Sequence, residues 1–209
     1  MYTLYYAPGS AAMLVHLMLL ECAVPYTLRK LDLEAGEQRS AEYLALNPDG
    51  VVPTLVIDGQ AHAESAALAM LLAERHPEAA LAPTAGSAAR ADYLQWMFYL
   101  ANTLQPAFRQ WFYSGEHVAD GADVIKKAAR IRIESAWSRL DKHLFLRGPH
   151  MLSSQFSVVD LYATMLMRWS RNMPRPATEW PHLATLAATV KTRESWRRMY
   201  AIEELTEWA

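Results

Sequence analysis

Two short stretches carry the residues best suited to chemistry: Asn47-Pro48-Asp49-Gly50-Val51-Val52-Pro53-Thr54-Leu55, and Glu64-Ser65 at the start of an apolar helical run. Asn-Pro-Asp-Gly is a turn sequence that delivers the chain into Val52-Pro53. Pro53 has no N–H, so it cannot sit inside a paired central strand. The main-chain groups of Val52 are then left in need of a partner. With the Val52–Pro53 bond cis, an isomer the sequence leaves open, they face outward and pair with an extended peptide ligand. Ser65 offers its backbone N–H and the positive end of a helix to a carboxylate, and Glu64 beside it suits an ammonium group. A small peptide carrying a free α-amino and α-carboxylate group satisfies all three.

The elements that must position these residues are legible in the spacing. Tyr2 to Tyr6 reads as a strand ending at Pro8-Gly9. Leu14, Leu17, Met18 and Leu20 repeat at helical spacing between Ala11 and Ala23, before Pro25. Tyr26 to Leu31 is a second strand, and Glu37 to Leu46 a shorter helix. Thr54 to Ile57 and Gln60 to Ala63 flank Asp58-Gly59, a hairpin turn. A third helix runs from about Ser65 to Arg75 and halts at Pro77. The order βαβαββα predicts a small α/β layer with a mixed sheet over residues 1–77. Residues 78–87, rich in Ala, Pro, Gly and Ser, read as a linker. From there to residue 209 helical periodicity dominates: Ala88 to about Tyr113, Asp123 to Leu146, Ser157 to about Asn172, Leu183 to about Thr192, and a last turn or two. Within this all-α part, Ser157 and Asp160 stand at N-cap and N3 spacing, flanked by Phe156 and Leu161 as a hydrophobic staple, so the role of Asp160 is structural.

The chain has 209 residues, 52% apolar and 20% charged, with a net charge of −2. That balance gives no reason to expect nucleic acid or an anionic membrane as partner. The densest basic stretch, Lys191 to Arg198, is interrupted by Glu194 and Trp196 and reads as a solvated helix face. The single cysteine, Cys22, excludes an internal disulfide framework or a cysteine metal site and fits a reducing, cytoplasmic setting. No stretch reads as a signal peptide, and the longest early apolar run, Ala11 to Leu20, is too short for a membrane span, which needs about 20 residues.

Taken together and in this order, Tyr5-Tyr6-Ala7-Pro8-Gly9-Ser10, Asn47 to Pro53, Glu64-Ser65 and Phe156-Ser157-Val158-Val159-Asp160 resemble a bacterial glutathione S-transferase over nearly the whole chain. Glutathione has the features required above, a peptide-like cysteinyl core and an α-amino, α-carboxylate pair on its γ-glutamyl end. The resemblance implies a thioredoxin-like N-terminal domain, an α-helical C-terminal domain and a homodimer, with no cofactor beyond glutathione as co-substrate. It implies that the Val52 main chain, beside Pro53, binds the cysteinyl backbone and that Glu64 and Ser65 bind the γ-glutamyl group. Gln38 or Arg39 would meet the glycyl carboxylate. Beta-class members carry a catalytic cysteine and a histidine where this sequence has Ala11 and Gln105, so a mixed disulfide with an enzyme thiol is not expected. Cys22, late in the first helix, reads as a small buried apolar residue.

Such chemistry needs a thiolate, and a thiol of pKa about 8.5 is only about 3% ionised at pH 7. Lowering that pKa by about two units takes roughly 2.7 kcal/mol. A helix N-terminus supplies about 0.3–2 kcal/mol and a hydrogen bond to a charged group about 1.5–3 kcal/mol. Ser10 offers both at once, although a serine there also serves simply as a helix cap. Tyr6 and then Tyr5 rank behind it, and strand alternation sends those two to opposite faces. The pocket for a small apolar electrophile is expected from the aromatic stretch Trp96 to Tyr113, notably Trp111 and Tyr113, with Trp169 and a supporting Asn102. Conjugation is the leading reading. Glutathione-dependent disulfide or peroxide reduction, and a non-catalytic interaction protein on the same fold, are the alternatives.

Overall fold

The computed structural model describes residues 1–116 and 119–208, and it divides into two compact units. One comprises Met1–Ala82 together with the chain from Lys191 onward, and the other Pro83–Val190.

In the first unit, β1 (Tyr2–Tyr6), β2 (Tyr26–Lys30), β3 (Thr54–Ile57) and β4 (Gln60–His62) form one mixed sheet in the order β2-β1-β3-β4. β2 runs parallel to β1, with Tyr2 opposite Tyr26. β3 runs antiparallel to β1, with Tyr5 opposite Thr54, and β4 antiparallel to β3. The parallel pair needs a crossover, supplied by α1 (Ala12–Glu21). The β3–β4 pair needs only Asp58-Gly59, both at positive φ (51° and 87°), the geometry of a tight hairpin turn. Between β2 and β3 the segment expected as one helix is broken in two, a 3₁₀ turn at Glu37–Arg39 and α2 (Ala41–Leu46). Ser40 lies between them in extended conformation, and its side chain accepts the Tyr43 N–H, so it caps α2 rather than continuing a helix.

α1 is buried on every side from Ala12 to Leu19 because it packs against β1, against α3 (Ser65–Arg75) and against α9 (Glu194–Ile202). The last of these contacts moves a boundary. The sequence places everything after residue 87 in the helical part, yet the chain from Lys191 belongs to the first unit. Glu21 on α1 receives the Arg193 guanidinium through two bonds of 2.6 Å and also the Ser195 hydroxyl. Trp196 and Met199 are buried on the same element. The basic stretch read as a solvated face thus turns Arg193 inward, while Arg197 and Arg198 stay exposed.

The second unit is helical: α4 (Arg90–Tyr99), α5 (Gln105–Phe112), α6 (Ala122–Arg147), α7 (Val158–Trp169) and α8 (Pro181–Lys191), whose last residue crosses the boundary. α4 and α5 are joined without a break by a π-helical stretch, Leu100–Leu104, in which the Gln105 N–H reaches back to the Leu100 carbonyl. Pro106 explains the widening. It has no N–H to give the Asn102 carbonyl, and its ring would strike that carbonyl in a regular helix, so the backbone expands by one residue just before it.

α7 is buried from Val158 to Arg168 and starts with a reciprocal capping box. The fully buried Asp160 carboxylate accepts the Ser157 N–H (2.8 Å), the Ser157 hydroxyl (3.1 Å) and, from outside the helix, the Met151 N–H (2.8 Å). Asp160→Ala would leave two buried N–H groups unpaired and is expected to cost about 3 kcal/mol. Urea unfolding should show the midpoint falling accordingly, with a smaller loss for Asp160→Asn, which keeps one acceptor.

Candidate functional site

Strand direction gathers the segments singled out in the sequence of the first unit at one end of the sheet. β1 and β2 are parallel, so the turn after Tyr6 and the segment leading to Gln38 leave from the same end. β3 is antiparallel to β1 with Tyr5 opposite Thr54, so Val52-Pro53 arrives at that end too. β4 returns antiparallel to β3 with His62 opposite Leu55, so Glu64-Ser65 leaves there as well.

The approach to Val52 is held by a buried polar knot. The Tyr43 hydroxyl donates to the Val51 carbonyl at 2.7 Å and meets the Thr54 hydroxyl at 2.8 Å. The Asn47 amide donates to the same two oxygens at 2.9 and 3.0 Å. Burial pushes the Tyr43 phenol up, so its proton stays in place to donate. Gly50 closes the turn, with its N–H on the Asn47 carbonyl and φ of +60°. A β-carbon at Gly50 would stand 2.7 Å from Arg39 Nη1 and 2.9 Å from the Gln38 carbonyl, so only glycine fits. Beyond this knot the Val52–Pro53 bond is cis, and among the described residues neither main-chain polar group of Val52 has a hydrogen-bond partner. Pro53 is buried and Val52 half-buried.

Glu64 and Ser65 sit where a strand hands over to α3. Glu64 is exposed and held at φ 69°, ψ 98°, outside the ordinary left-handed well, in a conformation worth about 1–3 kcal/mol of strain that clusters at ligand clamps. No composition or spacing signal announces that strain. Ser65 is buried, the first residue of α3, and no side chain caps that helix. Its end is therefore available to an anion. Gln38 is half-buried, donating to the Leu33 carbonyl at 3.2 Å while its own side-chain oxygen is buried without a partner. Arg39 reaches across the turn to the Asp49 carbonyl at 3.1 Å.

At the end of β1 the alternation is resolved. Tyr2, Leu4 and Tyr6 are buried and Thr3 and Tyr5 half-exposed. Tyr6 thus points into the core, 6.1 Å ring to ring from His16, and burial, then the negative charges of Glu203 and Glu204, hold its phenol above the usual range. Tyr5 lies on the other face against Tyr43. This favours Tyr5 over Tyr6 as the tyrosine that presents a hydroxyl outside the core, the reverse of the order inferred from sequence. Ser10 donates to the Ala7 carbonyl at 2.7 Å and accepts the Ala12 N–H at 3.2 Å, the local bonds of a serine opening a helix. The neighbouring Ala11 N–H, at the start of α1, has no partner among the described residues.

The residues expected around the electrophile belong to the second unit. Asn102 is exposed within the π-helical stretch. Trp111 is covered by Lys126 at 4.7 Å and Tyr113 by Arg109 at 4.5 Å, both as cation–π pairs. Trp169 stands edge-on to Phe108 and Phe112 at 5.8 and 6.3 Å. Phe112, within the same expected aromatic stretch, is exposed in that cluster. Gln105 accepts a short hydrogen bond from the Tyr162 hydroxyl. No group of metal-binding side chains occurs among the described residues, and no helix there is long and apolar enough to cross a membrane.

Residues 10–75 match the family model for the glutathione S-transferase N-terminal domain. The glutathione S-transferase GST-4.5 of Xanthomonas campestris pv. campestris is 29% identical over 170 residues, covering 80% of this chain and 81% of that protein. Glutathione S-transferase GstA of Escherichia coli O157:H7 is 28% identical over the same shares. A glutathione transferase homologue from Sulfitobacter, solved with bound glutathione, superposes with a TM-score of 0.90 at 27% identity, over 98% of this chain and 99% of that one. Residues 10–75 thus match a glutathione S-transferase N-terminal domain, the chain is similar to bacterial glutathione S-transferases over four fifths of its length, and its first unit has their thioredoxin-like fold.

Cys22 stays apart from the site. It is buried beyond the end of α1, and burial, with Glu78 and Glu21 nearby, pushes its thiol up to about 11. At pH 8 about one molecule in a thousand would then carry a thiolate. An aromatic disulfide reagent at pH 8 should modify the native protein only very slowly and label one thiol per chain promptly once urea unfolds it.

Proposed function

We propose that this protein is a member of the glutathione S-transferase family, an enzyme that transfers the thiolate of glutathione to a small apolar electrophile. The observation that carries the reading is the meeting, at one sheet edge, of an unpaired peptide unit at Val52, an uncapped helix end at Ser65 and a second helix start at Ser10 and Ala11. The cysteinyl main chain pairs with Val52 beside Pro53 as a short added strand. The γ-glutamyl carboxylate takes the Ser65 N–H and hydroxyl, and its ammonium takes Glu64. Gln38, whose backbone carbonyl lies beside Gly50, meets the glycyl end.

Thiolate stabilisation falls to Ser10 and the Ala11 N–H. The serine proton now on the Ala7 carbonyl turns to the sulfur, and the first turn of α1 adds its positive end. The sulfur lone pair then attacks an electrophilic carbon, the S–C bond forms, and the leaving group departs with its electron pair. No enzyme thiol takes part, consistent with Ala11 in place of a cysteine and the inert Cys22. Trp111, Tyr113, Trp169 and the exposed Asn102 offer aromatic and polar contacts to the electrophile. The proposal includes a homodimer in a reducing, cytoplasmic setting. Exposed Val124, Ile131 and Phe145 on α6 support an apolar contact surface, and the single buried cysteine supports the setting.

The test is conjugation of 1-chloro-2,4-dinitrobenzene, followed by its product absorbance. Wild type should conjugate. Ser10→Ala should lose roughly 10- to 100-fold in kcat, the worth of one hydrogen bond to an anion, with the glutathione KM nearly unchanged. Tyr6→Phe should keep its turnover. Full turnover in Ser10→Ala with loss in Tyr5→Phe would move the role to Tyr5, and glutathione binding without any conjugation would overturn the reading.

A further inference from the structure

The C-terminal end of the first unit returns to the turn that carries Ser10. Glu203 closes α9, with its N–H on the Met199 carbonyl at 2.8 Å, and is 2% exposed. One carboxylate oxygen accepts the Gly9 N–H at 3.0 Å, across 194 residues of sequence. The other lies 2.8 Å from His16 Nδ1 on α1, and His16 Nε2 lies 3.2 Å from the Tyr26 hydroxyl on β2. His16 is fully buried. A buried carboxylate placed this way must be satisfied on both oxygens, which fixes its position tightly.

Gly9 is the residue immediately before Ser10 and holds φ at +73°. The peptide unit gripped by Glu203 therefore sets the direction in which the chain enters Ser10 and α1. We propose that Glu203 is a positioning residue for the thiolate site: it clamps the Gly9 peptide so that the Ser10 hydroxyl and the Ala11 N–H point at one place. The inference rests on the thiolate role proposed above for Ser10. Glu203 makes no bond to Val52, Glu64 or Ser65, so losing the clamp should act on turnover and not on glutathione binding.

Charge is not required of the clamp, which gives a conservative rescue. In Glu203→Gln the amide oxygen can accept the Gly9 N–H while the amide N–H donates to His16 Nδ1, the ring carrying its proton on Nε2 toward Tyr26. Glu203→Met has similar length and can accept neither donor. Chloro-dinitrobenzene conjugation by folded protein should show Glu203→Met losing about 10- to 100-fold in kcat with an unchanged glutathione KM, and Glu203→Gln returning most of that loss. Glu21→Ala, which loosens α9 through Arg193 without touching Gly9, should lower the unfolding midpoint and leave kcat unchanged. Equal kcat in the Met variant and wild type would overturn the proposal, as would a rise in KM alone. Amide hydrogen exchange on wild type decides independently of activity and of whether the Met variant folds. The Gly9 amide should exchange as slowly as the α1 amides, and exchange at the rate of an open loop would overturn the clamp. If wild type conjugates nothing, the transferase reading fails, while the exchange result still decides the clamp.

Discussion

Every candidate ligand group in the first unit depends on the two neighbours of β1. Parallel pairing with β2 and antiparallel pairing with β3 force the connections after β1 and β2, the approach to β3 and the exit from β4 to the same edge of the sheet. A one-residue slip in the β1–β3 register would exchange the faces of Tyr5 and Tyr6 and move Val52 relative to Ser10. Burial of Tyr2, Leu4 and Tyr6 on one face protects the register, and the Tyr43–Asn47–Thr54 knot ties the start of β3 to α2.

On that edge the groups available to a ligand are main-chain groups and helix ends more than charged side chains. Val52 offers a peptide unit, Ser65 and Ala11 offer the starts of helices, and Ser10 adds a neutral hydroxyl. The main-chain donors among these are fixed by the backbone and would need little rearrangement to meet an anion, whereas the Ser10 hydroxyl would have to turn from the Ala7 carbonyl. A buried phenol at Tyr6, held above its usual range beside Glu203, is poorly suited to the same task. The cost appears as strain at Glu64, which the first turn of α3 and the return from β4 together hold in place.

The local part of this arrangement could be read from sequence because its signals are local. Asp58-Gly59 specifies its own hairpin, Ser157 and Asp160 their own cap, and Pro53 its own exclusion from a ladder. What escaped was non-local or masked by a stronger pattern. Periodicity identifies a helix near residue 200 but not its partner, so the docking of α9 on α1 through Glu21 and Arg193 was invisible. Alternation separates Tyr5 from Tyr6 without saying which faces the core. Pro106 did carry a signal, overridden by the helical spacing on either side of it, and the π-helical stretch is its consequence. Ser40 likewise marked a helix start inside a segment read as one helix.

The central claim is that glutathione lies on this edge with its sulfur at the start of α1. A crystal structure with glutathione bound tests it directly. The cysteinyl main chain should pair with both polar groups of Val52, the γ-glutamyl carboxylate should sit on Ser65, and the sulfur should lie within hydrogen-bond distance of the Ser10 hydroxyl and the Ala11 N–H. A sulfur nearest the Tyr5 hydroxyl, or glutathione bound away from Val52, would contradict it.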